Sequence, residues 1–262
     1  MNILLTGSSG NLGSHLMKFN TSIAGVGRHD WQRLDDKMQS TDVVIHAAYD
    51  LKNPVSMCPS NFFDSNLSST MLLLESMARH RVPRLYFISS CAVYGDVTHM
   101  HEDASCAPVS INGMVKHLNE AAIESFCLAN GIKFTFLRLF NLYAGNDEFS
   151  VLHKLKNAVL NSGSFQLNND GLSQRDFIHV EDAAKIILRL VDLNPEYECI
   201  NVGSGNVVKI VDLFNVVKKN HPSLEYTKTS NHEIEYARAD NARLLSLVQY
   251  EFPDVLLYAD QI

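Results

Sequence analysis

MNILLTGSSGNLG, residues 1–13, joins a short apolar run directly to a turn with three glycines in GxxGxxG spacing. Gly7, Gly10 and Gly13 permit a tight strand-to-helix turn and a close approach of a ligand to the backbone. The amide groups that open a helix also attract anionic groups such as a diphosphate. The stretch therefore predicts a strand, a turn and a helix that can bind a dinucleotide. Glycines in such a turn can also serve the fold alone.

The rest of the chain alternates β-like runs with stretches of helical spacing. The helical stretches cover residues 66–80 and 114–130, and Gly131 follows the second as a C′ residue. Alternation of this kind predicts a parallel sheet wrapped by helices. The apolar runs that we expect to form its strands are 2–6, 22–27, 42–48, 84–90, 133–140 and 198–203.

The pattern becomes irregular after about residue 145, which predicts a second, smaller lobe. We expect an α/β fold in which residues 1–144 and 176–203 form a doubly wound parallel sheet of the Rossmann type. Residues 145–175 and 204–262 form the smaller α/β lobe in this prediction.

Composition narrows the function classes. The chain has 262 residues, 46% of them hydrophobic, and a formal net charge of −7, which disfavours a nucleic-acid partner. Its five cysteines form no CxxC pair, so we expect reduced thiols and no metal. The sequence also predicts no leader and no membrane-spanning run, which favours a soluble, cytoplasmic protein.

Ser89 to Lys116 holds the main chemical signal, because SSCAVYG (89–95) is followed by NGMVK (112–116). Asn112 and Lys116 are four residues apart, so a helix would place both side chains on one face. Lysine would prime an acid at position 112, but an amide does not titrate. The sequence therefore predicts an active site whose principal acid is missing.

Several motifs in fixed order suggest a family. With the glycine turn, they resemble extended short-chain dehydrogenases/reductases of the NAD-dependent epimerase/dehydratase family. The motifs are HAA (46–48), Asn66, SSCAVYG (89–95), RLFNLYAG (138–145), RDFIHVEDAA (175–184) and INVGSG (200–205). The resemblance implies a nicotinamide dinucleotide cofactor, a nucleotide-diphosphate sugar bound by the smaller lobe, and a homodimer formed through the 66–80 and 114–130 helices.

The resemblance also implies which residues bind the cofactor. They are Gly7, Ser9, Gly10, Asn11, Leu12, Gly13, Arg28, Ala47, Ala48, Asn66 and Lys116. Arg28 follows the second predicted strand, where it would suit the 2′-phosphate of NADP, and this favours NADP(H). In the alternative, Arg28 is a solvated loop residue, and Asp30 reaches the ribose hydroxyl of NAD.

The implied catalytic set is Ser90, position 112 and Lys116, and position 112 is a tyrosine in the family pattern. Asn112 has three explanations: a substitute donor, a protein that binds without turnover, or a single changed position in an otherwise intact enzyme. The candidate donors are Tyr94, Cys91, Lys116 or a water held by Asn112. The implied substrate-binding residues are Ser90, Cys91, Asn141, Arg175 and Arg238.

The residues after Ser90 reduce the number of possible reaction types. Dehydrating family members carry an acidic pair there, whereas this chain has Cys91 and Ala92. The sequence favours an NADPH-dependent reductase of a nucleotide-linked 4-keto-6-deoxy sugar over a nucleotide-sugar 4-epimerase. A non-catalytic relative that only binds the dinucleotide and the sugar is the alternative of another class.

Overall fold

The computed structural model describes residues 1–50, 59–161, 163–230 and 234–262. Its main sheet has six parallel strands in the order β2-β1-β3-β4-β5-β9. The strands are β1 (Ile3–Thr6), β2 (Ala24–Val26), β3 (Val43–His46), β4 (Arg84–Ser90), β5 (Lys133–Leu139) and β9 (Cys199–Val202). All six predicted strands are present, and all six belong to this sheet.

The winding of the sheet reverses between β1 and β3. The chain passes from β1 to its neighbour β2 on one side and then returns to β3 on the other side of β1. Connections on opposite sides leave a crevice at the carboxyl ends of such strands, where α/β proteins bind ligands. The residues that follow β1 and β3 are therefore placed to line a binding site.

Helices cover both faces of the sheet. Helices α1 (Asn11–Phe19) and α6 (Val180–Leu193) pack on the face that contains Leu5. The opposite face contains Leu4 and is covered by α2 (Leu34–Met38), α3 (Pro59–Arg79) and α4 (Ile111–Asn130). Burial on both faces explains why the strands are almost wholly apolar. The expected doubly wound, Rossmann-like fold is confirmed.

A third apolar core lies away from the main sheet. Around it stand a four-stranded sheet, a parallel pair and three helices, with Phe165, Phe177 and Phe214 inside. The four-stranded sheet contains β6 (Asn141–Tyr143), β8 (Gln174–His179), β10 (Val207–Lys209) and β12 (Tyr236–Ala237). The parallel pair is β7 (Ser164–Asn168) with β11 (Glu225–Thr229). The three helices are α5 (Val151–Leu160), α7 (Ile210–Asn220) and α9 (Val255–Ala259). A further helix, α8 (Ala242–Leu247), packs beside β9. We propose that this third core belongs to the predicted smaller lobe, residues 145–175 and 204–262.

Local signals fix the ends of α4, the helix that holds Asn112 and Lys116. Ser110 Oγ accepts a hydrogen bond from the Gly113 amide at 3.1 Å, as an N-cap residue does. Gly131 ends the helix in the left-handed region, with φ of 67°, so the predicted C′ residue is confirmed. Among the described residues, no helix combines the length and apolar character that a bilayer span requires.

Candidate active site

The glycine turn is packed so closely that side chains are excluded from it. Gly7 has φ of +74°, and a Cβ there would lie 2.6 Å from the carbonyl group of Ala47. A Cβ at Gly13 would lie 2.1 Å from the Gly7 carbonyl oxygen. The turn after β1 therefore touches both the end of β3 and the first turn of α1, and only glycine fits at these positions.

The side chains of the turn serve the fold and leave its backbone exposed to a ligand. Asn11 Nδ2 donates to Ala144 O at 3.0 Å, and its Oδ1 accepts from the Asn146 amide at 2.9 Å. Leu12 is buried in the core beneath the helix. Gly10, the N-cap residue of α1, makes no side-chain capping hydrogen bond. The first amides of α1 thus remain available to an anion.

A cleft of about 500 Å³ opens at the point where the winding reverses. It has the glycine turn on one side, the residues after β3 on another and α3 across from them. The predicted cofactor residues that line it are Gly7, Ser9, Gly10, Arg28, Ala47, Ala48 and Asn66. A glycine cradle beside an uncapped helix terminus fits the diphosphate of a dinucleotide.

Arg28 and Asp30 stand at the rim of this cleft, and they are engaged differently. The Arg28 guanidinium is exposed and lies 3.5 Å from the Asp50 carboxylate. Asp30 Oδ2 accepts from the Gly27 amide at 3.3 Å, which turns the carboxylate toward the end of β2. A Cβ at Gly27 would lie 3.4 Å from that oxygen and 3.5 Å from Ser9 Oγ, so Asp30 borders the glycine turn.

Asn66 and His46 hold the far wall of the cleft. Asn66 Oδ1 accepts from the Asp50 amide at 2.7 Å, so this side chain ties α3 to the segment after β3. His46 is paired through both ring nitrogens, with Thr6 Oγ1 at 2.6 Å and Thr70 Oγ1 at 3.0 Å. Burial lowers the pKa of His46 to about 3, so the ring is neutral. Both residues support the wall.

Ser90, Asn112 and Lys116 come from β4 and α4, which lie beside the cleft. Lys116 is buried, and its Nζ donates to Ile88 O at 2.6 Å. Burial lowers the pKa of Lys116 to about 7. Ser90 Oγ accepts from the Ala92 amide at 3.2 Å, while Asn112 is exposed to solvent. Ser90 and Lys116 therefore offer a hydroxyl group and an amine of nearly neutral pKa to a reaction.

Tyr49 is a residue of this region that the sequence analysis missed. Its hydroxyl donates to the backbone carbonyl of Asn112 at 3.3 Å. Its ring centre lies 4.0 Å from Lys116 Nζ, and the ring meets Phe62 edge-on. Tyr49 also lines the cleft. The signal was present, since Tyr49 follows HAA at the end of β3, the strand next to β4.

Two of the predicted substitute donors are committed elsewhere or hold their proton tightly. The Tyr94 hydroxyl donates to Asn201 Oδ1 at 2.7 Å, and its ring is fully buried beneath the Arg138 guanidinium. Burial raises the pKa of Cys91 to about 12. The Tyr94 hydroxyl is thus engaged in the contact between β9 and the segment after β4.

Three of the predicted substrate-binding residues, Asn141, Arg175 and Arg238, lie on or next to strands of the four-stranded sheet. Asn141 Nδ2 donates to Asp176 O at 2.7 Å, and Arg238 Nε donates to Gly205 O at 2.7 Å. Arg175 pairs with Ala237 in the register of β8 and β12, which places Arg238, the residue after β12, close to β8. Asp176 caps the turn at 204–205 through the amides of both residues.

One cluster among the described residues has the composition of a metal site. Side-chain ligand atoms of Cys106, His117 and Glu120 lie within 4.8 Å of one another. Arg138 already occupies this cluster, with Nη2 at 3.2 Å from Cys106 Sγ and 2.8 Å from a Glu120 carboxylate oxygen. A fixed guanidinium opposes a second cation, so the arrangement is that of a buried ion pair.

The doubly wound sheet and the glycine cradle together define a dinucleotide-binding α/β protein. Residues 3–203 match the NAD dependent epimerase/dehydratase family, and the chain belongs to that family. A putative UDP-glucose 4-epimerase of Methanocaldococcus jannaschii is 30% identical over 226 residues, which cover 82% of this chain and 71% of the relative. The UDP-glucose 4-epimerase of Rhizobium meliloti is 26% identical, over 83% of this chain and 80% of the relative.

Solved structures agree on the fold. The UDP-glucuronic acid 4-epimerase of Bacillus cereus, in complex with UDP-glucuronic acid and NAD, superposes with a TM-score of 0.88 at 22% identity. The superposition covers 100% of this chain and 97% of that chain. A hexosamine 5,6-dehydratase, TunA, gives a TM-score of 0.87 at 21% identity, covering 97% of this chain and 94% of its own. The expected family is confirmed, and its enzymes are of the NAD-dependent oxidoreductase type.

Proposed function

We propose that this protein inverts the C4 centre of a uridine-diphosphate sugar, with bound NAD as a hydride carrier that is regenerated in each turnover. The observation that carries the proposal is the Lys116 amine on α4, which bonds the backbone of the strand that ends in Ser90 and lies 4.0 Å from the ring centre of Tyr49, a residue that lines the dinucleotide cleft. Relatives named as 4-epimerases support the choice of reaction. The absence of an acidic pair at Cys91 and Ala92 argues against dehydration.

NAD suits this site better than NADP, the cofactor that the sequence favoured. Asp30 borders the glycine turn at the end of β2, where a carboxylate can accept hydrogen bonds from a ribose and repels a 2′-phosphate. Arg28 is drawn toward Asp50 instead. We expect Asp30→Ala to weaken NADH binding about tenfold or more, since hydrogen bonds to charged groups contribute about 1.5–3 kcal/mol. Arg28→Ala, the matched change at the same rim, leaves NADH binding within about threefold, which is under 1 kcal/mol.

In this proposal each predicted residue acts through a defined atom. The first amides of α1 would hold the diphosphate of the dinucleotide, which would supply the hydride acceptor and donor for the sugar carbon. Ser90 Oγ donates a hydrogen bond to the oxygen on that carbon, and Lys116 Nζ holds positive charge beside it. Arg175 and Arg238 contact the diphosphate of the sugar nucleotide with their guanidinium groups.

The test follows UDP-glucose and UDP-galactose by proton NMR, with the purified protein and added NAD. We expect each sugar to be converted to the other until both reach the same equilibrium mixture. Lys116→Met should abolish the conversion, whereas Lys133→Met, at an exposed lysine away from the cleft, should leave it unchanged. Failure of the parent protein to invert either sugar, with NAD shown to be bound, would contradict the proposal.

A reductase of a nucleotide-linked 4-keto-6-deoxy sugar is the second candidate. Arg28 favours it, because an exposed guanidinium at the rim of the cleft can turn toward the 2′-phosphate of NADPH. Incubation with a 4-keto-6-deoxy sugar nucleotide and either NADPH or NADH separates the two candidates. Stoichiometric oxidation of the reduced cofactor by the 4-keto sugar nucleotide indicates the reductase. Inversion of UDP-glucose at C4 with added NAD, and no oxidation of NADPH or NADH by the 4-keto sugar nucleotide, indicates the epimerase.

We also propose that the protein is a homodimer formed through α3 and α4. Ile111, Met114 and Leu118 form a stripe on α4, and each is exposed by more than 40%. Apolar stripes of this kind usually mark a contact between chains. Light scattering should give twice the chain mass for the parent and the single mass for Leu118→Glu. A monomeric parent at micromolar concentration would contradict the dimer.

A further inference from the structure

Position 112 has no acid, yet a phenol reaches that position from another part of the chain. The Tyr49 hydroxyl donates to the Asn112 carbonyl oxygen at 3.3 Å, in the first turn of α4. This turn is one helical turn before Lys116. Tyr49, which follows β3, therefore brings a phenol to the turn of α4 that carries position 112, with its ring beside Lys116.

We propose that Tyr49 is the proton-transferring residue of this site and supplies the phenol that position 112 lacks. The proposal rests on the proposed function, since it requires a sugar oxygen that gains and loses a proton. Tyr49 is then a catalytic residue that touches the reacting oxygen. The backbone carbonyl of Asn112 accepts the phenol's hydrogen bond in the ligand-free protein, and the hydroxyl turns from that carbonyl to the sugar oxygen when the sugar is bound.

The surroundings of Tyr49 suit this task. The Lys116 ammonium lies 4.0 Å from the ring centre, where positive charge stabilises a phenolate as it forms. Phe62 packs against the ring edge-on, with centroids 6.0 Å apart, and restricts its motion. Burial raises the pKa of Tyr49, so the ligand-free phenol is neutral and keeps a proton to give.

The proton balance closes with groups on this chain. For each hydride that reaches a ketone carbon, one proton must reach the ketone oxygen, and the Tyr49 O–H bond breaks to supply it. In the oxidation half, which comes first, the neutral amine of Lys116 takes the phenol proton, as its pKa of about 7 permits, and the phenolate then takes the proton of the sugar hydroxyl. After the reduction half, Lys116 returns its proton to the phenolate, so the complete cycle neither takes up nor releases a proton.

The experiment compares the parent with Tyr49→Phe, Asn112→Tyr and the double variant, each loaded with NAD. Tyr49→Phe keeps the ring and removes only the hydroxyl, so we expect unchanged NADH affinity and a C4 inversion rate lower by about 10²- to 10⁴-fold. The double variant should recover to within about tenfold of the Asn112→Tyr rate, because a phenol again stands over Lys116. Tyr226→Phe, at an exposed tyrosine of β11, is the matched control and should change nothing.

A second readout does not depend on turnover. A sugar nucleotide whose oxygen touches the phenol should perturb the near-ultraviolet tyrosine absorption of the NAD-loaded protein, and Tyr49→Phe should lose that difference band. A parent-like rate in Tyr49→Phe, or an unchanged band, overturns the proposal. If neither the parent nor Asn112→Tyr inverts any sugar, the proposed function fails, and the band alone then decides whether Tyr49 touches the ligand.

Discussion

The glycine turn and the Lys116 centre lie side by side but are built in different ways. The turn is made by backbone contacts among residues close to β1 and β3, and Gly7 and Gly13 are fixed by atoms 2.1 to 2.6 Å from where a side chain would begin. The Lys116 centre is made by side chains from separate segments, namely Tyr49, Ser90 and Lys116. Backbone geometry permits no substitute residue, whereas a side-chain group can be supplied from another position.

The largest effect should come from a substitution in the glycine turn, where backbone contacts decide which residue fits. In Gly13→Ala the added methyl meets the Gly7 carbonyl, so we expect a loss of about 3 kcal/mol in the free energy of unfolding and no measurable NADH binding. Gly131→Ala is the control, since it adds only left-handed strain of about 1–2 kcal/mol with no atom within 4 Å. Urea unfolding and NADH fluorescence measure both effects. Equal losses in the two variants would contradict the argument.

His46, beside the glycine turn, should make the free energy of unfolding sensitive to acid. Its pKa is about 3 in the folded protein and about 6.5 in the unfolded chain, so the unfolded chain binds more protons between these pH values. The free energy of unfolding should therefore fall as the pH drops from 6.5 toward 3, by up to about 1.4 kcal/mol per pH unit. His46→Gln should reduce that slope, as urea titrations at several pH values would show. A slope identical to that of the parent would argue against a buried neutral ring.

Lys116 should affect the free energy of unfolding at higher pH than His46 does. Its pKa is about 7 when folded and about 10.4 when unfolded, so the parent gains stability as the pH rises from 7 to about 10. Lys116→Met lacks this term and should be more stable than the parent at pH 6, by about 1 kcal/mol or more after loss of the hydrogen bond to Ile88. Parallel pH dependences in the two proteins would contradict the shift.

The smallest expected effect tests the far wall of the cleft. Asn66→Ala removes the acceptor of the Asp50 amide and should cost about 1–2 kcal/mol, with NADH affinity lowered only through the displaced wall. Asn130→Ala, at an exposed asparagine that donates to Phe126 O, should cost less than about 0.5 kcal/mol. Thermal and urea unfolding measure the pair. If both cost the same, Asn66 is not a support of the wall.

The difference between the glycine turn, made by backbone contacts, and the Lys116 centre, made by side chains, also explains which features the sequence could predict. Strand runs, the glycine spacing and Gly131 depend on short stretches of backbone, and the structure contains them as expected. Tyr49 depends on which strands are neighbours, because β3 and β4 bring it to a helix that begins more than 60 residues later. Asn11 and Asn141, which we predicted to contact ligands, donate hydrogen bonds to backbone carbonyls, a structural use that residue type alone does not reveal.

Asn11 also limits how the dinucleotide motif can be dissected. A fragment that ends at residue 140 would contain the three glycines of the turn and five of the six strands of the main sheet. It would lack Ala144 and Asn146, which hold the first residue of α1, and α6, which covers that helix. The motif is contiguous in sequence, but residues as far along as α6 support it, so we expect a fragment of residues 1–140 to lose the shape of the turn.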